Sequence, residues 1–304
     1  MKWNEYESTG ETPMHFVNAK GILSSSNGMN LYRGCTHGCI YCDSRSACYR
    51  MEHDFEDVEV KHNAPELLEE ALRRKRRKCM IITGAMSDPY MHCEDQLELT
   101  RRCLEIICRY GFGAAVQTKS DRILRDLELL KRINEQSKCV VQMTLTTYSE
   151  SLCKIVEPSV CTTKRRYETL KIMQENHIPT IVWIAPLLPF INDTEENLRG
   201  VLQYCFDAGV KGIVCFEIGT TMRSGSRDYF YAMLDRYFPY LKQQYIHKYK
   251  DAYECLSDQN DRLMRMFYEE CAKHGVMYNL GEIFSYLHQF PEEKFRQLNL
   301  FESI

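Results

Sequence analysis

Six short apolar runs, separated by stretches of helical periodicity, leave this chain few architectures. The runs are Met29–Tyr32, Cys79–Thr83, Ala114–Thr118, Val140–Leu145, Thr180–Ala185 and Gly212–Phe216. Between them, amphipathic patterns predict helices near Ala64–Lys75, Leu97–Arg109, Arg122–Asn134, Lys164–Asn176 and Glu195–Ala208. Asp193 with Glu196 has the form of a capping box opening the fifth helix, and Gly209 stands where a helix-ending glycine belongs. Strands joined through helices lie parallel, with right-handed crossovers. The expected fold class is α/β, a partial (β/α)6 barrel of the TIM type, less closed than the eight-stranded form. Beyond about Arg227 the pattern turns to helices rich in Tyr, Phe, Lys and Asp, with no further clear strand. The expected organisation is an N-terminal segment (1–28), the barrel (29–226) and a helical C-terminal extension with a short tail (227–304), packed together without a low-complexity linker.

Charge excludes one class of function. Lys plus Arg total 39 and Asp plus Glu 42, a net charge of −3, so the chain does not coat nucleic acid by bulk charge. Any such binding must come from local patches. No apolar run reaches the roughly 18–20 residues that span a bilayer, and the first residues lack the apolar stretch of a secretory signal. A cytoplasmic chain without membrane contact is expected. The 15 cysteines then read as free thiols rather than a disulfide framework. Several, such as Cys103, Cys108, Cys205 and Cys215, sit inside apolar patterns as small core residues.

Only one group of cysteines has spacing tight enough for shared chemistry. Cys35-x3-Cys39-x2-Cys42 directly follows the first strand and sets three thiolates on one loop. Soft thiolates suit iron–sulfur clusters. Three ligands for four irons leave one iron open to substrate or cofactor. A zinc knuckle wants four ligands, and His37 or Cys48 could supply the fourth; a closed four-cysteine electron-transfer cluster could likewise recruit Cys48.

The spacing, with aromatic Tyr41 before the third cysteine and a barrel around it, resembles the radical S-adenosylmethionine (SAM) enzymes. Further motifs resemble the spore photoproduct lyase-like branch of that family: Ser87-Asp88-Pro89-Tyr90 with Glu94, Thr118-Lys119-Ser120, Arg125-Asp126-Leu127, Leu145-Thr146-Thr147, Val156-Glu157-Pro158-Ser159 and Ala185-Pro186-Leu187-Leu188-Pro189 with Asn192-Asp193. The resemblance implies that Cys35, Cys39 and Cys42 hold a [4Fe–4S] cluster whose open iron takes SAM. Reductive cleavage then releases a 5′-deoxyadenosyl radical, with flavodoxin or ferredoxin as reductant. It further implies that Tyr41 belongs to the cofactor site, that Ser87 and Asp88 bind the amino or ribose end of SAM, and that Lys119 and Thr144 hold its carboxylate. Ala85 stands where the lyase, as aligned, carries its hydrogen-donating cysteine, so repair of the spore thymine dimer is not expected.

Nucleic acid is the leading substrate class. The run Arg73–Lys78 precedes strand two and belongs at the barrel bottom. Lys164, Arg165 and Arg166 open a helix on the mouth side, where three cations oppose the helix dipole and invite an anion. Arg223 and Arg227 follow strand six. Arg165, Arg166, Arg223 and Arg227 are therefore the candidate substrate-binding residues. Gln297-Leu298-x-Leu300-Phe301 resembles the tail motif with which bacterial replication and repair enzymes dock on the DNA sliding clamp. Three alternatives stay open: a radical enzyme acting on a small molecule or peptide, a non-catalytic iron–sulfur electron-transfer protein, and a zinc-stabilised nucleic-acid adaptor.

Overall fold

The computed structural model describes residues 13–291. Six strands form its central sheet: β1 (Gly28–Met29), β2 (Met80–Thr83), β3 (Gly113–Thr118), β4 (Cys139–Thr144), β5 (Thr180–Trp183) and β6 (Gly212–Val214). They lie side by side in chain order, every pair parallel, and β1 is not paired with β6. The barrel is partial, as expected. Helices α1 (Ala64–Arg74), α2 (Leu99–Arg109), α3 (Leu127–Gln136), α4 (Thr163–Glu175) and α5 (Glu195–Asp207) follow the first five strands.

The strands read as unbroken apolar runs because both faces are buried. Ile81, Ala114, Val116, Val141, Val182 and Ile213 share one core with α1–α5 residues such as Leu68, Leu104, Leu130, Leu170 and Leu198. Their alternate neighbours Met80, Ala115, Val140, Ile181 and Val214 share another with Ile283 and Leu287. Those two residues belong to α9, the last of four C-terminal helices among the described residues: α6 (Ser226–Tyr237), α7 (Leu241–Tyr249), α8 (Asn260–His274) and α9 (Leu280–His288). The helical extension does more than coat the barrel. Its final helix fills the interior.

Three expectations need correction. The first apolar run splits, because Tyr32–Arg33 leaves the barrel and pairs antiparallel with Val58–Lys61, which also pairs parallel with Met14–Val17. Val58-Glu59-Val60-Lys61 alternates apolar and polar residues, the signal of a strand with one buried face. The C-terminal region also holds a strand, since Glu254–Leu256 pairs antiparallel with Gly219–Thr221. Strand pairs thus cross both expected boundaries, 28/29 and 226/227. Finally, Thr194 caps α5 by accepting from the Asn197 amide at 3.2 Å, while Asp193 accepts from Ser257. At the other end Gly209 closes the helix as expected, its amide bonding to the Phe206 carbonyl.

Candidate active site

The cysteine loop is held from three sides by backbone. Gly34 turns it out of Tyr32–Arg33 at φ +90°, and a Cβ there would stand 2.5 Å from the Phe55 carbonyl oxygen, so glycine is required. That oxygen accepts the Cys35 amide at 3.0 Å. Ile40 donates to the Val156 carbonyl at 3.0 Å, and Ser159 to that of His37 at 3.2 Å. Cys35 and Cys39 are buried and Cys42 is half-buried. Their loop lines a cavity of about 100 Å³ with Ser44, the turn Gly84–Asp88 after β2, Gln117, Thr118, Lys119 and Thr144. Gly84 lets β2 close on β3, since a Cβ there would fall 1.9 Å from the Gln117 carbonyl oxygen. Except for the cysteine loop, every wall comes from the C-terminal ends of parallel strands or the turns after them, where such barrels build their sites. A second hollow of about 160 Å³ shares Ser44, Met86 and Ser87. A larger one of about 890 Å³ lies at the opposite end, between the starts of β5 and β6 and residues 275–286. It holds no thiol, so chemistry, rather than size, selects the smaller site.

Burial pushes the Cys35 thiol up to about 12, with the Asp88 charge adding to the effect, and Cys39 is also driven up by burial. These thiols need a metal to hold them as thiolates. Burial lowers His37 to about 4, so its ring is neutral. Lys119 behaves differently. Burial works to lower it, but Cys39, Glu157 and Cys42 outweigh that and raise it above its ordinary value. It is an ammonium that makes no hydrogen bond or ion pair among the described residues, with its nitrogen 5.9 Å from the Tyr41 ring centroid.

The other expected cofactor residues divide by role. Ser87 and Thr144 are buried and line the cavity with Lys119. Asp88 lines it too, but its carboxylate is already engaged: Oδ1 accepts from the Tyr90 amide (2.8 Å) and the Thr118 hydroxyl (2.6 Å), and Oδ2 from the Lys119 amide (2.7 Å). His37 Nδ1 stands 3.5 Å from the same Oδ2. Asp88 therefore ties the β2 turn to the end of β3 and to the cysteine loop.

Tyr41 donates its hydroxyl to Glu157, which pairs with Arg166 at 2.6 Å. This pair corrects the expectation for Arg166. Its guanidinium is 0% exposed and donates to the Thr144 and Cys161 carbonyls, both at 2.9 Å, so no substrate reaches it. Burial would raise Glu157, but Arg166 and then Lys119 hold it below the usual carboxylate range. The motif Val156-Glu157-Pro158-Ser159 assigns Glu157 no role of its own; the signal for one is a carboxylate set between apolar Val156 and Pro158. Arg227 is corrected too, since it donates to the carbonyls of Met222, Lys250 and Ala252 and fastens two loops. Arg165 pairs with Asp121 at 2.8 Å, and Arg223 with Asp43 at 2.7 Å, both partly exposed. The basic run Arg73–Lys78 forms the end of α1 and the link to β2, at the bottom, as expected.

A family model described as the Radical SAM superfamily matches residues 29–205, more than half of the chain. The chain belongs to the radical SAM superfamily. Its cofactors are those of the family, a [4Fe–4S] cluster and SAM. The residues fit them: three thiols on one short loop, and beside them a cation, Lys119, without a hydrogen-bond or ion-pair partner among the described residues. An uncharacterised protein of Mycobacterium tuberculosis is 28% identical over 228 residues, 73% of this chain and 66% of that protein. One from Methanocaldococcus jannaschii is 32% identical over 181 residues, 59% of this chain and 67% of that one. The chain spans just under two thirds of the mycobacterial relative's length. A spore photoproduct lyase point mutant has a similar structure, with TM-score 0.63 at 12% identity over 87% of this chain and 81% of that one. The same lyase complexed with dinucleoside spore photoproduct gives 0.60 at 13%, over 82% and 74%. At such identities the likeness is one of fold. No helix among the described residues is long and apolar enough to cross a membrane.

Proposed function

We propose that this enzyme cleaves SAM reductively and directs the 5′-deoxyadenosyl radical at a C–H bond of a nucleic acid. The observation that carries the reading is the shared cavity, in which an unpaired Lys119 ammonium faces three thiols. When bound, the cluster supplies the electron that breaks a carbon–sulfur bond of SAM. Cys35, Cys39 and Cys42 hold it and leave one iron for SAM. Lys119 and Thr144 hold the carboxylate of SAM, a charge-assisted contact about twice as strong as a neutral one. Ser87 offers its hydroxyl to the rest of the cofactor. Asp88 sets the Lys119 backbone, and Tyr41, anchored on Glu157, fixes the loop. The buried walls keep water from the radical. Flavodoxin or ferredoxin serves as reductant, in a cytoplasmic setting.

The nucleic-acid assignment draws on the rim. Arg223 lies over the Tyr253 ring at 4.6 Å beside the cysteine loop, and that ring is 44% exposed, the type of surface on which bases stack. Arg165 adds a second exposed cation. A dock for the DNA sliding clamp at Gln297–Phe301, outside the described residues, would bring the enzyme to DNA.

Anaerobic protein reconstituted with iron and sulfide should form 5′-deoxyadenosine from SAM and dithionite. Cys42→Ala should abolish this, and Cys48→Ala should retain both cluster and product. Loss of the cluster in Cys48→Ala, with SAM leaving the iron spectrum unchanged, would indicate a closed electron-transfer site instead. Deuterium from labelled nucleic acid should enter the 5′-deoxyadenosine. Entry from labelled metabolite or peptide pools alone would reassign the substrate.

A further inference from the structure

We infer that His15, His53, Asp57 and Glu59 form a site for one divalent transition ion of the zinc type, which staples the N-terminal strand to the loop behind Cys35. One ligand atom from each of His15, His53 and Asp57 lies within 4.8 Å of the others. Glu59 comes from the strand next to His15, in direct register with it, and its Oε2 stands 3.9 Å from His53 Nε2. In a tetrahedral zinc site with bonds of about 2.0–2.1 Å, neighbouring ligand atoms stand about 3.3 Å apart, so the partly exposed His15, His53 and Asp57 must draw closer to close on an ion, with Glu59 joining from beside His53.

The tautomer of His53 supplies the stronger argument. Its Nδ1 lies 3.0 Å from the Asp54 carbonyl oxygen, and a carbonyl can only accept, so Nδ1 carries the hydrogen. In the neutral ring the lone pair is then on Nε2, which is buried and has no hydrogen-bond partner among the described residues. What faces it is a carboxylate oxygen. Two acceptors facing each other need either a proton or a cation between them. An imidazole held by a carbonyl on one nitrogen, with the other bare, is the form that binds metal. Lys61 offsets part of the Glu59 charge from a distance, but among the described residues neither it nor Arg33 hydrogen-bonds to that carboxylate: Arg33 donates to the Tyr49 and Arg50 carbonyls, and Lys61 to that of Asn30 at 2.9 Å. His15 Nδ1 is 3.0 Å from Asp57 Oδ1, with its ring edge-on to His53 at 4.7 Å. Two imidazoles with carboxylates favour zinc over magnesium or calcium.

The place gives the ion a task. Phe55, whose carbonyl orients the Cys35 amide, lies between His53 and Asp57. An ion bound there would lock that turn onto Met14–Val17 without touching the cluster.

The test uses the full chain with its cluster reconstituted, stripped of adventitious metal and then given Zn²⁺ or Co²⁺. After gel filtration the unaltered protein should retain a single equivalent of zinc beyond its iron. Cobalt should show the d–d bands of nitrogen and oxygen ligation without thiolate charge transfer. His15→Gln with His53→Gln, and separately Asp57→Asn, should lose the zinc and keep wild-type iron. Equal zinc in the variants, thiolate bands in the cobalt protein, or no zinc retained by the unaltered chain would each overturn the site. The cobalt spectrum is read on the unaltered chain, so a variant that misfolds does not obscure the result.

Discussion

Lys119 is the residue on which the cofactor assignment is most exposed to test. It follows β3, and its charge is kept by neighbouring groups against the pull of burial. Hydrogen bonds to charged groups contribute about 1.5–3 kcal/mol, so Lys119→Ala should weaken SAM binding roughly ten- to hundredfold with the cluster intact. Equilibrium dialysis against labelled SAM, with iron and sulfide assayed on the same samples, measures this. Unchanged affinity would remove Lys119 from the cofactor site. The cysteines were legible because their chemistry lies in spacing alone. Arg166 was not. Lys164, Arg165 and Arg166 are consecutive at a helix start, and successive helical residues point about 100° apart. Only one of the three can turn inward, and a list of cations cannot say which. The structure turns Arg166 inward because Glu157, nine residues earlier, is buried and needs a cation.

Among the elements, that same pair joins four parts of the fold. Tyr41 brings the cysteine loop, Glu157 the turn beyond β4, Arg166 the first turn of α4, and the Thr144 carbonyl the end of β4. Glu157→Gln leaves a buried guanidinium without its counter-charge, which costs about 3–5 kcal/mol. Urea unfolding at neutral pH should report that loss, and iron retention should fall with it, because one amide oxygen replaces the two carboxylate oxygens that accept separately from Tyr41 and Arg166. The pH dependence has a definite sign. Glu157 in the folded chain is held below its ordinary value, so its contribution is present above the usual carboxyl range and is lost as pH falls through the lower folded value. The acid limb of the wild-type stability curve should therefore be steeper than that of Glu157→Gln. Equal limbs and equal urea midpoints would mean the pair is not structural. The barrel strands were readable because two-sided burial writes an unbroken apolar run. Four strands outside the barrel were missed, Met14–Val17, Val58–Lys61, Gly219–Thr221 and Glu254–Leu256; they are no shorter than several barrel strands but lack the unbroken apolar run that two-sided burial writes. Their partners are distant in sequence, which no local period records.

For the molecule as a whole, the two ends of the barrel have different tasks, and α9 separates them. Ile283 and Leu287 pack on the inward residues of β2–β6, while the carbonyls of Tyr286 and Gln289 accept from Lys138, which precedes β4. The described chain thus leaves the fold at the bottom, opposite the cysteine loop. Gln297–Phe301 fits a dock for the sliding clamp by composition: Leu300 and Phe301 would fill apolar pockets of a preformed groove, with Gln297 hydrogen-bonding at the rim. The competing possibility is an amphipathic tail that buries Leu298, Leu300 and Phe301 on its own chain. A peptide spanning Lys294–Ile304 separates the two, because it has no barrel to fold against. It should bind purified bacterial sliding clamp in fluorescence anisotropy, and the version with Leu300→Ala and Phe301→Ala should not. In the full enzyme the same double substitution should abolish clamp binding and leave SAM cleavage at its wild-type rate, since neither residue belongs to the cavity around the cysteines. Equal binding by both peptides, or none by either, would withdraw the clamp and with it one of the supports for DNA as substrate.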